Sequence, residues 1–133
     1  MPVRSLSSRI VKWPDRREVE AAIRSHAVVI VRAEPRLRAL GYFGSYARNE
    51  WGVGSDVDLV AVLDVTAGER TPSALELPWT REIRLPVPHD LFIYSAEDLR
   101  RMDTEGTRFA RMLVSEAVWV YGQWPDKTEL GEA

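Results

Sequence analysis

The chain has 133 residues, of which 45% are hydrophobic and 29% charged, with a formal net charge of −2 and no cysteine. That length suits one domain with a single core, and a near-neutral balance gives no bulk attraction to nucleic acid or anionic lipid. Absence of cysteine excludes disulfides, thiolate metal sites and cysteine nucleophiles, and a reducing cytoplasm is the expected compartment.

Met1 to Ile10 holds Arg4 and Arg9 without a long apolar core, so it does not read as a signal peptide. Asp15 follows Pro14 and precedes Glu18 by three residues, the spacing of a capping box. Val19, Ala22, Ile23, Ala27 and Ile30 then recur at helical spacing until Pro35 stops the element. The longest apolar run, Ala27 to Val31, is far too short to span a membrane. Leu37 to Phe43 reads as a strand and Ser45 to Trp51 as a short helix. Asp56 to Leu63 is a nearly continuous apolar strand, the pattern of one buried on both faces. The stretch from Asp64 to Pro86 carries Gly68, Pro72, Pro78 and Pro86, and reads as a loop with one helical turn and an edge strand near Glu82 to Leu85. A strand at His89 to Tyr94 follows, then a helix from Ala96 to about Met102 capped by Ser95. A second helix runs from Thr107 to Ser115, and Ala117 to Tyr121 is a final short strand. Pro125 to Ala133 reads as a loose acidic tail. This order implies an α/β (α+β) fold, a small mixed sheet with helices packed on one side.

The informative stretch runs from Gly41 to Val60. Gly44 and Ser45 sit where a strand hands over to a helix, where a glycine lets the backbone approach a phosphate and free amides favour anions. The pair alone is common and equally describes a plain turn with a serine cap. Asp56 and Asp58 add weight, because Asp is disfavoured in strands and these two project from one face. Carboxylates so close to a phosphate-shaped turn suit a divalent metal bound together with a nucleotide. Asp90 begins the next apolar strand as Asp56 begins its own, and is the best candidate for a third ligand. Glu50, Asp64 and Glu82 lack comparable placement, and His26 and His89 read as helix-face and strand-entry residues.

With these residues in place, the chain resembles the minimal nucleotidyltransferases of the DNA polymerase β superfamily. Their pattern is Gly-Ser-x-Ala-Arg-Gly, then Ser-Asp-x-Asp-Leu, with a third Asp heading a later strand. Gly44-Ser45-Tyr46-Ala47-Arg48, Ser55-Asp56-Val57-Asp58-Leu59 and Asp90-Leu91-Phe92 match it, from about Trp13 to Gly122 overall. Asn49 replaces the usual glycine, a change that a left-handed turn tolerates, and Trp51 stands where a small residue is common. The resemblance implies a single nucleotidyltransferase domain over 1–133, with a core of about 13–122 and a tail of 123–133. It also implies transfer of a nucleoside monophosphate, AMP from ATP or the equivalent from another triphosphate, to an acceptor hydroxyl. Asp56 and Asp58 would hold two Mg2+ ions, with Mn2+ a substitute, and Asp90 would bind the one beside the acceptor. Gly44, Ser45, Arg48 and Ser55 would form the nucleotide-binding set.

So short a chain leaves little room for an acceptor domain, so a partner is expected. Compact relatives pair with a HEPN-type toxin as its antitoxin, and a homo-oligomer is the other form such a partner takes. Leu75, Leu77, Pro78 and Trp79, flanked by Arg81 and Arg84, have the composition of an interface, although Trp79 folded onto the core is an equal reading. The rival functions are a small-molecule, antibiotic-type nucleotidyltransferase and a catalytically silent binding module.

Overall fold

The computed structural model describes residues 12–125, so the readings of Met1 to Ile10 and of the tail beyond Pro125 lie outside it. Helix α1, Arg16–Ala33, starts where the sequence places its cap. The Asp15 carboxylate accepts the Glu18 amide at 2.8 Å, and the Glu18 carboxylate accepts the Asp15 amide at 3.1 Å, so two amides without helical partners are satisfied reciprocally. Val19, Ile23, Ala27 and Ile30 line the buried face of the helix.

Four strands follow: β1 (Leu37–Phe43), β2 (Val57–Leu63), β3 (His89–Ser95) and β4 (Val118–Gly122). They form one mixed sheet in the order β3-β2-β1-β4. Strand β1 is antiparallel to both β2 and β4, whereas β3 runs parallel to β2. Two further helices, α2 (Ala96–Thr104) and α3 (Arg108–Glu116), join β3 to β4. Ser95 and Thr107 cap them by accepting the amides of Asp98 and Ala110.

The helices pack on both faces of the sheet, which corrects the expectation of one. Val57, Leu59, Ala61 and Leu63 of β2 join α1 in one core, and Val60 and Val62 join Leu99, Ala110 and Leu113 in another. Alternate residues of a strand point to opposite faces, so a strand apolar at nearly every position needs cover on each side. The near-continuous apolar run of β2 already carried that message, which the element order alone did not.

Two local readings also change. Residues 45–49 form a hydrogen-bonded turn, not a helix: Arg48 N–H donates to Gly44 C=O at 3.0 Å and Glu50 N–H to Ser45 C=O at 2.8 Å, and the chain then leaves the turn. The turn ends at Asn49, which takes φ 60°, and beyond it Trp51 stacks on Tyr46, ring centroids 5.8 Å apart and 8° from parallel. The edge strand expected near Glu82 to Leu85 is absent. Short 3-10 turns at Ala74–Glu76 and Pro78–Glu82 carry the chain across instead, on the face that holds α1.

Trp79 is 7% exposed and donates its indole N–H to the buried Glu34 carboxylate at 3.1 Å. Leu77 and Ile83 are buried beside it, and of the expected apolar patch Leu75, at 85% exposure, and Pro78 stand out. The fold-back reading of Trp79 is therefore the one that the structure adopts.

Candidate active site

The site is built at the edge where β1 ends and β2 and β3 begin. Phe43, the last residue of β1, pairs across the sheet with Asp58, and Asp58 pairs in parallel register with Asp90. Paired residues on neighbouring strands share a face about 4.8 Å apart, so Asp58 and Asp90 stand side by side. Asp56 precedes β2 by one residue. Asp58 shares its face with Val60 and Val62, the face that α2 and α3 cover.

Gly44 comes directly after Phe43 and takes φ +85°, a left-handed conformation open mainly to glycine. A Cβ at this position would lie 2.6 Å from Asp58 Oδ2. Both the backbone twist and the close approach therefore require glycine here. Asn49 takes φ 60°, as its tolerance of left-handed backbone leads one to expect.

Charge accumulates at this edge. Burial, first, and then the charges of Asp56 and Asp90 push the Asp58 carboxyl above its ordinary range, and Arg48 partly offsets them. A carboxylate destabilised by its neighbours is one that a cation would stabilise. The donors are hard carboxylate oxygens, the chemistry that Mg2+ prefers. Among the described residues, however, no three carboxylate, imidazole or thiol side chains lie close enough to cage a metal unaided. The set fits an ion completed by substrate oxygens, the way Mg2+ is commonly held at nucleotide sites. Beside Asp90, His89 is half-buried, and burial lowers its pKa while Asp90 raises it.

The residues expected to bind nucleotide divide into those at the turn and those engaged elsewhere. Gly44 is buried and Ser45 half-buried at the turn. Arg48 is exposed, with Nε on Glu50 at 2.8 Å and Nη1 on Glu116 at 3.1 Å, and these partners raise its pKa, Glu50 most. Ser55 is engaged elsewhere: its hydroxyl accepts the Gly52 amide at 2.9 Å and its carbonyl accepts the Trp13 indole N–H at 3.0 Å. It closes the 52–55 turn that delivers Asp56 to the site.

Glu116 is the residue that sequence reasoning missed. It ends α3, and its Oε1 accepts both the Gly44 amide, at 3.2 Å, and the Arg48 guanidinium. Its place in the chain, 72 residues from Gly44, gave no local signal of that contact.

The nucleotidyltransferase domain family model matches residues 29–120, most of the chain and every carboxylate of the site. The chain belongs to the nucleotidyltransferase domain family. No curated protein matches it. Among solved structures, the nucleotidyltransferase fold recurs in a Sulfolobus solfataricus protein assigned to that activity. The two share 16% identity over 78% of this chain and 80% of that one, with a TM-score of 0.53. A toxin–antitoxin crystallised with AMP-PNP matches at 20% identity over 76% of this chain and 74% of its own, with a TM-score of 0.51. At such identities the likeness is one of fold. This nucleotidyltransferase thus carries its motif residues on the mixed sheet that the resemblance implied.

Proposed function

We propose that this nucleotidyltransferase transfers AMP from ATP to a hydroxyl of a protein partner, in the manner of an antitoxin that modifies its toxin. The observation that carries the reading is the parallel register of Asp58 with Asp90 beside the left-handed Gly44. It supports the reading because carboxylates then stand beside a turn that would accept phosphate, at one end of the sheet. Asp56, Asp58 and Asp90 would hold Mg2+, which when bound neutralises charge on phosphate oxygens and lowers the pKa of an acceptor hydroxyl.

The chain's own groups then have distinct tasks. The Gly44 amide and Ser45 hydroxyl would donate to terminal phosphate oxygens, and Arg48 would balance charge on the departing pyrophosphate. The bond that would form joins the acceptor oxygen to the α-phosphorus, the bond that would break joins that phosphorus to the pyrophosphate oxygen, and the hydroxyl proton would pass to the Asp90 carboxylate. The toxin–antitoxin crystallised with AMP-PNP supports both the nucleotide and the partner class.

A second reading has its own support. Burial of Leu77 and Trp79 takes both apolar side chains out of the surface that had suggested a docking face, although Arg81 and Arg84 stay exposed, and this loss favours a small free acceptor. Incubation with ATP labelled at the α-phosphate and Mg2+, with and without a co-expressed partner, separates the two. Label on the partner protein, lost in Asp58→Asn, supports the proposal. Label on a small molecule alone supports the second reading, and no transfer to any acceptor contradicts both.

A further inference from the structure

Gly44 has a single amide hydrogen, and in this structure Glu116 holds it. The same Glu116 Oε1 also takes the Arg48 guanidinium, so one carboxylate oxygen occupies two of the three groups assigned above to the nucleotide's phosphates. A backbone N–H makes one strong hydrogen bond. Glu116 and a phosphate oxygen therefore compete for it. The far side of Gly44 offers no second berth, because Asp58 Oδ2 already lies against it.

Glu116 is also badly placed for the helix that carries it. It is the last residue of α3, whose final turn contains no basic residue, and the negative end of a helix dipole disfavours an acid. Its position is offset by Arg48 and the Gly44 amide, the contacts a phosphate would claim. The Glu116 side chain is 21% exposed, so it already meets solvent in part.

We propose that Glu116 is a phosphate-mimicking latch: it closes the cradle in the free protein and must be displaced before a nucleoside triphosphate can bind. The inference rests on the nucleotide reading of the Gly44 turn. A triphosphate carries more charge and more acceptor oxygens than one carboxylate, so it can win this exchange at a reduced apparent affinity. The reduction equals the fraction of protein with the latch open. The latch also keeps Arg48 close to the cradle while no nucleotide is present.

Calorimetric titration with MgATP, and separately with inorganic tripolyphosphate, tests the latch on wild type, Glu116→Gln and Glu116→Ala. Tripolyphosphate lacks base and sugar, so it reports on the cradle alone. Glu116→Gln keeps the size and the hydrogen-bond acceptor but removes the charge. Both variants are expected to bind both probes more tightly, by about tenfold if the latch is closed in roughly nine molecules of ten, with Glu116→Ala at least as tight as Glu116→Gln. Wild-type binding with Glu116→Gln unchanged or weaker would overturn the latch alone and make Glu116 a support for Arg48. Failure of wild type and both variants to bind either probe would overturn the nucleotide reading, and the latch with it.

Discussion

At Gly44 two demands coincide, a left-handed backbone and no room for a Cβ beside Asp58. Gly44→Ala should therefore lower stability by about 1–3 kcal/mol, the range for strained backbone, and should abolish the rise in melting temperature that MgATP gives to wild type through mass action. A full MgATP shift in a folded Gly44→Ala protein would contradict a phosphate cradle at this turn. Asp58 offers a separate test. Its pKa is raised in the folded state by burial and by Asp56 and Asp90, so the folded form holds a proton more readily than the unfolded form. The favourable contribution is present below the ordinary Asp range and is lost as pH rises through the raised value. Metal-free Asp58→Asn should then equal or exceed wild type in stability at neutral pH, and the difference should vanish in acid. Urea melts of both proteins across that range measure it. A loss of several kcal/mol at neutral pH, on the scale of a broken buried ion pair, would make Asp58 structural.

Among the elements, the crossover between β2 and β3 rests on few anchors, and Trp79 is the largest. Its indole N–H serves Glu34, whose pKa is held low chiefly by Arg36 and also by Trp79. Trp79→Phe should cost about 1–3 kcal/mol by leaving a buried carboxylate short of a donor. Because a lowered carboxylate pKa stabilises above its ordinary range and is lost as pH falls, that cost should shrink in acid. Denaturant melts at neutral and acidic pH check both halves. The same crossover marks the limit of what could be read in the sequence. Helix α1 and strands β1 to β3 announced themselves through Asp15 and Glu18 and through apolar runs. Leu77, Trp79, Ile83 and Val87 instead enter the core singly from irregular backbone, a pattern with no period to detect. The contact from Trp79 to Glu34 spans 45 residues, beyond any local rule.

For the whole molecule, the mixed sheet brings together residues far apart in the chain: Gly44 after β1, Asp56 and Asp58 at β2, Asp90 at β3 and Glu116 from α3. The first four were legible because each sits at a strand boundary within a specific motif. Glu116 was not, because only the packing of α3 on the sheet carries it there. Both faces of the sheet are covered, by α1 and the crossover on one side and by α2 and α3 on the other. Among the described residues no helix is long and apolar enough to cross a membrane.

On the proposed function, the Gly44 turn and the three aspartates would form one metal–nucleotide site. Paramagnetic Mn2+ reports on it directly, since it broadens the NMR signals of nearby amides. Titrated with ATP into the wild-type protein, Mn2+ should broaden Gly44 to Arg48, Asp56 to Asp58 and Asp90 together, at the same low metal concentration, and should lose this pattern in Asp58→Asn. Broadening confined to one of these segments, or centred on other acidic residues and unchanged in Asp58→Asn, would contradict a single shared site.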